Sequence, residues 1–172
     1  NPETDDSLVA NYNDEDFIAG KAANKAALQR ELGLEEDETA PIFFWPSRLD
    51  PIQKGPELLT SILHRTVSDY WNRNFQVVVI ADGPHQQWLN DIVGRFGLHE
   101  RVAIRSFDER LSRLAFAGSD FMLMPSQFEP CGLPQMIAPI YGTLSIVHAT
   151  GGLYDTVRDL DVDASTGNGF RS

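Results

Sequence analysis

From Pro41 onward, short apolar runs alternate with longer amphipathic stretches, and that rhythm predicts the elements of the chain. Ile42–Trp45 is a candidate strand. Residues 55–71 follow as a helix, with Pro56 in its first turn and Leu58, Leu59, Ile62, Leu63 and Val67 as its buried stripe. The clearest strand is 75–81 (FQVVVIA), which is β-branched, continuous and free of Gly and Pro. A run apolar on both faces belongs at the centre of a parallel sheet covered by helices on both sides. Asp82-Gly83-Pro84 makes a turn, and 84–96 reads as a helix closed by Gly97. Val102–Arg105 and Phe121–Met124 read as strands, with a helix over 108–117 between them. A helix over 132–141 and a fifth strand, Leu144–Val147, complete the series. Repeated strand–helix–strand units of this spacing predict an α/β fold, a doubly wound Rossmann-like parallel sheet with right-handed crossovers. The Asp-, Ser- and Gly-rich stretch 159–169 shows no element, and Trp45, Trp71 and Trp88 read as core or helix-packing residues.

Ahead of this pattern the chain differs in character. Residues 1–16 are polar and turn-rich and read as an arm or linker, and 18–32 is a helical stretch capped by Gly33. The domain division expected is therefore an N-terminal arm and helix over 1–40, then a Rossmann-like domain over 41–172. Charge divides at the same place. The whole 172-residue chain carries a net charge of −11, of which 11 acidic and 3 basic residues in 1–40 supply −8. The acidic run 35–38 reads as a solvated turn. Such acidity argues against non-specific nucleic-acid binding, which depends on clustered Lys and Arg. With 42% hydrophobic residues the chain can build a core, yet no apolar run approaches the roughly 20 residues that a membrane span needs. The single cysteine excludes an intrachain disulfide and fits a reducing compartment.

In a sheet of this kind ligands sit outside the C-terminal ends of the strands, so the chemistry is sought in the loops that follow each strand. After the first strand, Arg48 and Lys54 flank Leu49-Asp50-Pro51-Ile52-Gln53 just before a helix N-terminus. Two cations beside unpaired backbone N–H groups suit a diphosphate, although singly each is an ordinary surface charge. Neither a Walker loop nor GxGxxG is present. After the fourth strand comes Pro125-Ser126-Gln127-Phe128-Glu129-Pro130-Cys131-Gly132-Leu133-Pro134-Gln135. An ionised Glu129 would accept hydrogen bonds from sugar hydroxyls, and Gly132 and Leu133 bring backbone close to a ligand at a helix start. Thr150-Gly151-Gly152 is a Gly-rich turn after the fifth strand. Phe107, after the third, is placed either to pack in the core or to stack on a base. Cys131 has no second Cys and no His at ligand spacing, and His64, His85, His99 and His148 are scattered, so no metal site is expected.

Taken together, KAANKAALQRELGL, SRLDPIQKG, FDE, PSQFEPCGLPQ and YGTLSIVHATGGLYDTV resemble, in order and spacing, bacterial glycogen synthase and plant starch synthase. The likeness spans nearly the whole chain and is to the C-terminal lobe of a two-lobed retaining glycosyltransferase of the GT-B fold. It implies transfer of glucose from ADP-glucose to the non-reducing end of an α-1,4-glucan, without a cofactor or required metal, in the cytoplasm of a bacterium rather than a plastid. On this resemblance Arg48 and Lys54 clamp the diphosphate, Glu129 contacts the glucosyl hydroxyls, and Phe107 packs near adenine. Cys131, Gly132, Leu133 and Pro134 line the sugar and phosphate site, Thr150 lies beside the distal phosphate, and Gly151 and Gly152 shape the floor. Three positions depart from the family pattern: Gln127 stands where Arg is usual, Pro139 interrupts a helix, and His148-Ala149 replaces a basic pair. The acceptor glucan is expected to meet the lobe that this sequence does not contain, so the fragment alone is expected to be inactive. A UDP-sugar-dependent transferase lobe and a non-catalytic nucleotide- or glucan-binding module are the alternative readings. Neither a nucleic acid nor a membrane is an expected partner.

Overall fold

The computed structural model describes residues 1–50, 54–126, 132–162 and 164–172. Six parallel strands form one sheet in the order β3-β2-β1-β4-β5-β6. They are β1 (Ile42–Trp45), β2 (Gln76–Ile80), β3 (Val102–Arg105), β4 (Phe121–Met124), β5 (Leu144–Val147) and β6 (Gly169–Arg171). The α-helices among the described residues are α1 (Phe17–Leu32), α2 (Pro56–Asp69), α3 (Gln86–Phe96), α4 (Glu109–Gly118), α5 (Pro134–Ile137) and α6 (Gly151–Thr156). β1 pairs with β2 on one side, Phe44 opposite Val78, and with β4 on the other, Phe44 opposite Met122. The direction of winding reverses between β1 and β4, which is where a doubly wound sheet opens a crevice at its C-terminal edge.

The alternation of side chains along each strand builds a core on each face. Ile42, Phe44, Val78, Ile80, Met122 and Met124 point toward α1 and α4. Trp45, Val77, Val79, Val102 and Ile104 point toward α2 and α3. All five β2 residues are buried, which accounts for the apolar run Val77–Ile80, while the buried Gln76 amide donates to the Glu35 carbonyl at 2.8 Å.

Several expectations are corrected by this arrangement. The stretch 159–169 ends in β6, whose Phe170 and Arg171 lie in register with Ile146 and Val147 of β5. The predicted helix 55–71 stops at Asp69 and continues as a 3-10 turn, Trp71–Arg73. Its buried stripe is the single row Leu59, Leu63 and Val67, while Leu58 and Ile62 remain 53% and 44% exposed. Trp45 is core, but Trp88 faces solvent and Trp71 is partly exposed with the Arg101 guanidinium 4.2 Å over its ring. The helix predicted over 132–141 divides into α5 and the 3-10 turn Ala138–Tyr141, with Pro139 lacking the N–H that a continuous helix would use.

The opening segment is packed rather than free. Leu8 and Tyr12 join the core, the Tyr12 hydroxyl donates to the Tyr141 carbonyl at 2.7 Å, and the Tyr141 hydroxyl donates to Asp5 at 2.5 Å. Burial alone would raise the Asp5 carboxyl, but hydrogen bonds from Tyr141 and Ser7 and the charge of Arg113 together hold it below its usual value. Nor is the acidic run only solvated, since Glu35 pairs with the buried Arg101 and Asp37 accepts from Asn74. On α1, Lys25 bonds Asp120 at 2.8 Å and Lys21 reaches the Ala117 carbonyl at 2.8 Å, which ties this helix to the sheet domain.

Candidate functional site

Five loops leave the C-terminal edge of the sheet, and hydrogen bonds between them fix their relative positions. After β1, the indole N–H of Trp45 donates to the Ser47 carbonyl at 2.6 Å, folding the chain back at once. Leu49 is fully buried and its N–H donates to the Asp82 carbonyl, 2.8 Å away in the loop after β2. Gly83, at φ 145°, is required here: a Cβ at this position would lie 2.5 Å from the Leu49 carbonyl oxygen. The Asp82 carboxylate in turn accepts the Phe107 N–H at 3.2 Å, which draws in the loop after β3. Asp108 then caps α4 by accepting the Leu111 N–H at 2.7 Å.

The product of this bracing is a pocket of about 330 Å³ lined by Pro46, Arg48, Ala81, Asp82 and Phe107. Arg48 is exposed at its rim, and Phe107 is 60% exposed, so its ring lines the pocket and does not pack in the core. A planar apolar ring and a guanidinium facing one cavity match a ligand that is aromatic at one end and anionic at the other.

Lys54 follows on the same loop, its N–H donating to the Asp50 carbonyl at 3.1 Å. Gly55, at φ 69°, caps the start of α2, and a Cβ there would fall 2.9 Å from the Pro125 carbonyl oxygen. The end of the Arg48–Lys54 loop is thereby pressed against the loop after β4. Glu129 and Cys131, both expected site residues of that loop, lie outside the described residues. Beyond them Gly132 is buried at φ 64°, Leu133 is 66% exposed, and Pro134 starts α5. Gln135 is buried and its amide donates to the Thr156 hydroxyl of α6 at 3.3 Å.

After β5, the His148 imidazole lies 3.1 Å from the Ser126 carbonyl of the neighbouring loop, and Ala149 N–H donates to the Ser172 carbonyl just past β6 at 3.0 Å. Thr150 is the extended residue preceding α6, and Gly151 and Gly152 form its first turn. The structure therefore places Arg48, Lys54, Phe107, Gly132, Leu133, Pro134, Thr150, Gly151 and Gly152 along one edge of the sheet, with Arg48 and Phe107 in one pocket.

Asp82 was visible in the sequence only as part of a turn; its role as the joint of three loops depends on strand order, which the linear pattern does not carry. His85 and His148 are also part of this edge, and their signal was their position one to five residues beyond a strand. The larger cavity of about 670 Å³, lined by Phe43, Tyr70, Arg73 and Phe75, opens at the opposite edge of the sheet. Among the described residues no group of three His, Cys, Asp or Glu is placed to hold a metal ion, and no helix is long and apolar enough to cross a membrane.

Comparison with known proteins gives consistent matches. Residues 40–167 match the family model described as glycosyl transferases group 1. The chain is 43% identical over 170 residues to glycogen synthase of Exiguobacterium sibiricum, covering 98% of this chain and 34% of that protein. It is also 43% identical over 168 residues to soluble starch synthase 3a of Oryza sativa, covering 94% of this chain and 9% of the relative. Among solved structures, the catalytic domain of starch synthase IV from Arabidopsis thaliana, bound to ADP and acarbose, superposes with a TM-score of 0.84 at 39% identity, over 99% of this chain and 35% of that one. The chain thus spans about a third of the length of the bacterial relatives it matches.

Proposed function

The chain belongs to the group 1 glycosyl transferases, and from that premise we propose that it is the donor-binding lobe of an ADP-glucose-dependent glycogen or starch synthase. The observation that carries the reading is the pocket at the C-terminal strand ends in which Arg48 and Phe107 face one cavity. Its chemistry fits a nucleoside diphosphate sugar: the base against Phe107, and the diphosphate toward Arg48, Lys54 and the turn Thr150-Gly151-Gly152. Glu129 takes the glucosyl hydroxyls, and the backbone at Cys131, Gly132, Leu133 and Pro134 completes the sugar site. Arg48 and Lys54 stabilise the charge that develops on the leaving diphosphate, so that neither a metal nor a cofactor is required. The acceptor is the non-reducing end of an α-1,4-glucan, brought up by the other lobe of the whole enzyme in a bacterial cytoplasm. Residues 41–172 form the nucleotide-sugar-binding unit, with 1–40 as its N-terminal arm and helix.

Titration of the chain with ADP and with UDP, followed by calorimetry, tests this reading. ADP is expected to bind more tightly than UDP, and a preference for UDP would assign the lobe to a transferase using a uridine donor. Arg48→Ala removes a charge-assisted contact of about 1.5–3 kcal/mol and is expected to weaken ADP about tenfold or more. Phe107→Ala, at an exposed ring, is expected to weaken ADP by about 1–3 kcal/mol while leaving the thermal midpoint unchanged. Wild-type affinity in both variants would remove the pocket from the donor site.

A further inference from the structure

One side chain at this edge is unexplained by the roles assigned so far. His85 is 7% exposed, and neither of its ring nitrogens has a hydrogen-bond partner among the described residues. A buried imidazole left in this state costs free energy, and such a cost is sustained where another state of the molecule repairs it. Its surroundings indicate which state that is. Trp88 on the next turn meets the ring edge-on at 4.8 Å, restricting its rotation. Nε2 lies 3.8 Å from the Glu57 carboxylate, within ion-pair range but beyond hydrogen-bond distance. Glu57 occupies the first turn of α2, three residues after Lys54.

The pair thus spans the loops after β1 and β2, the same loops that form the pocket wall with Arg48 and Asp82. Glu57 is the charged side chain paired with the imidazole, and Arg48, Asp50, Lys54 and Asp82 are the other charged residues of the loops around it. A carboxylate at this helix start complements the α2 dipole while the site is empty, but it opposes a diphosphate arriving at Lys54. Protonation of His85 cancels that opposition and gives the imidazolium a hydrogen-bond acceptor in Glu57.

We infer that His85 is a positioning residue of the donor site, taking up a proton when a nucleoside diphosphate binds and pairing with Glu57 to hold the Lys54 end of the β1–α2 loop against the anion. The inference rests on the reading of this edge as a nucleotide site and adds a proton-coupled element to it. The only step is a proton transfer from solvent to the imidazole, with no bond broken in the ligand.

Calorimetric titration of the chain with ADP, at several pH values and in buffers of different ionisation enthalpy, tests the inference. Binding by the wild type is expected to take up more protons than binding by His85→Phe, a comparison in which the ligand's own titration cancels. His85→Phe is expected to weaken ADP about five- to tenfold at pH 6 and to have little effect at pH 8.5, in keeping with one partly exposed ion pair. Glu57→Gln, at an exposed position, is expected to abolish the excess proton uptake and to tighten ADP at pH 8.5. Equal proton uptake in wild type and His85→Phe, or excess uptake retained in Glu57→Gln, would overturn the inference while leaving the nucleotide site intact. Should the wild type bind neither ADP nor UDP, the donor-site reading and this inference fail together.

Discussion

Lys21 lies far from the nucleotide edge, yet among single residues it makes the most measurable statement about the fold. Its ammonium donates to the carbonyls of Ala117 and Tyr141 at 2.8 and 3.1 Å and to the Thr143 hydroxyl at 3.0 Å. These are acceptors at the ends of α4 and of the 3-10 turn, which those elements cannot satisfy internally. Burial outweighs the attraction of Asp120 and pulls the Lys21 pKa from 10.5 down to about 8. Between these values the unfolded chain holds a proton that the folded chain has released, so stability rises with pH across the interval. The cost of the buried charge is fully present below pH 8. Tyr12 and Tyr141, raised above the ordinary phenol value of 10.0, act in the opposite sense at higher pH, which leaves about 8 to 10 as the usable window. Denaturant titrations across that window are expected to show wild-type stability climbing by about 1 kcal/mol per pH unit. Lys21→Met is expected to be less stable at every pH, through loss of these hydrogen bonds, and to show no slope. A slope that persists in the variant would place the titration elsewhere.

At the scale of elements, the strands from β1 to β5 were legible because each is a compact apolar run whose flanking Gly, Pro and Asp residues mark its ends. β6 was not, since Gly-Phe-Arg is too short to show a period of two and gains its structure only by pairing with β5. The packing of the arm is hidden in the sequence for a related reason. Its contribution to the core is two residues, Leu8 and Tyr12, in a polar setting, and Tyr141, which accepts from Tyr12 and donates to Asp5, lies more than a hundred residues away in sequence. Glu129 stood out in the sequence through its EPCGL setting, whereas Asp82 and His85 could be recognised only once strand order had brought the loops after β1, β2 and β3 together. The arm offers its own test. Gly20 of α1 packs against Tyr12 so closely that a Cβ would fall 2.4 Å from the Tyr12 Cβ. Gly20→Ala improves the intrinsic helix propensity of α1, yet it must displace the arm, and overpacking of this kind costs about 1–3 kcal/mol. Limited proteolysis is expected to cut the variant within residues 1–16 while sparing the wild type. A variant more stable than the wild type and equally resistant would show that the arm is not held through Tyr12.

The whole molecule presents a charge distribution that matters to its proposed work. Of the net −11, −8 belongs to residues 1–40, and 41–172 carries only −3. Part of the acidic excess is consumed in internal pairs: Glu31 with Arg110, Glu35 with Arg101, and Asp5 with Tyr141 and Arg113. On the proposed reading Arg48 and Lys54 supply the attraction for a diphosphate, within a segment whose net charge is only −3. Attraction is not turnover, however. On the proposed reading, bringing an acceptor hydroxyl to the donor carbon and excluding water from it fall to the other lobe of the whole enzyme. The bacterial relatives that this chain matches are about three times as long. The expected outcome is a chain that binds ADP and releases it, with no glucose incorporated into an α-1,4-glucan primer from labelled ADP-glucose. A fusion to the N-terminal lobe of a bacterial glycogen synthase is expected to restore incorporation, and Glu129→Ala in that fusion to reduce it by two orders of magnitude or more, as loss of a transition-state contact to the sugar would. Elongation by the isolated chain at rates like an intact synthase would locate the whole active site in this lobe. An undiminished Glu129→Ala fusion would instead make the loop after β4 a wall of the pocket and not part of its chemistry.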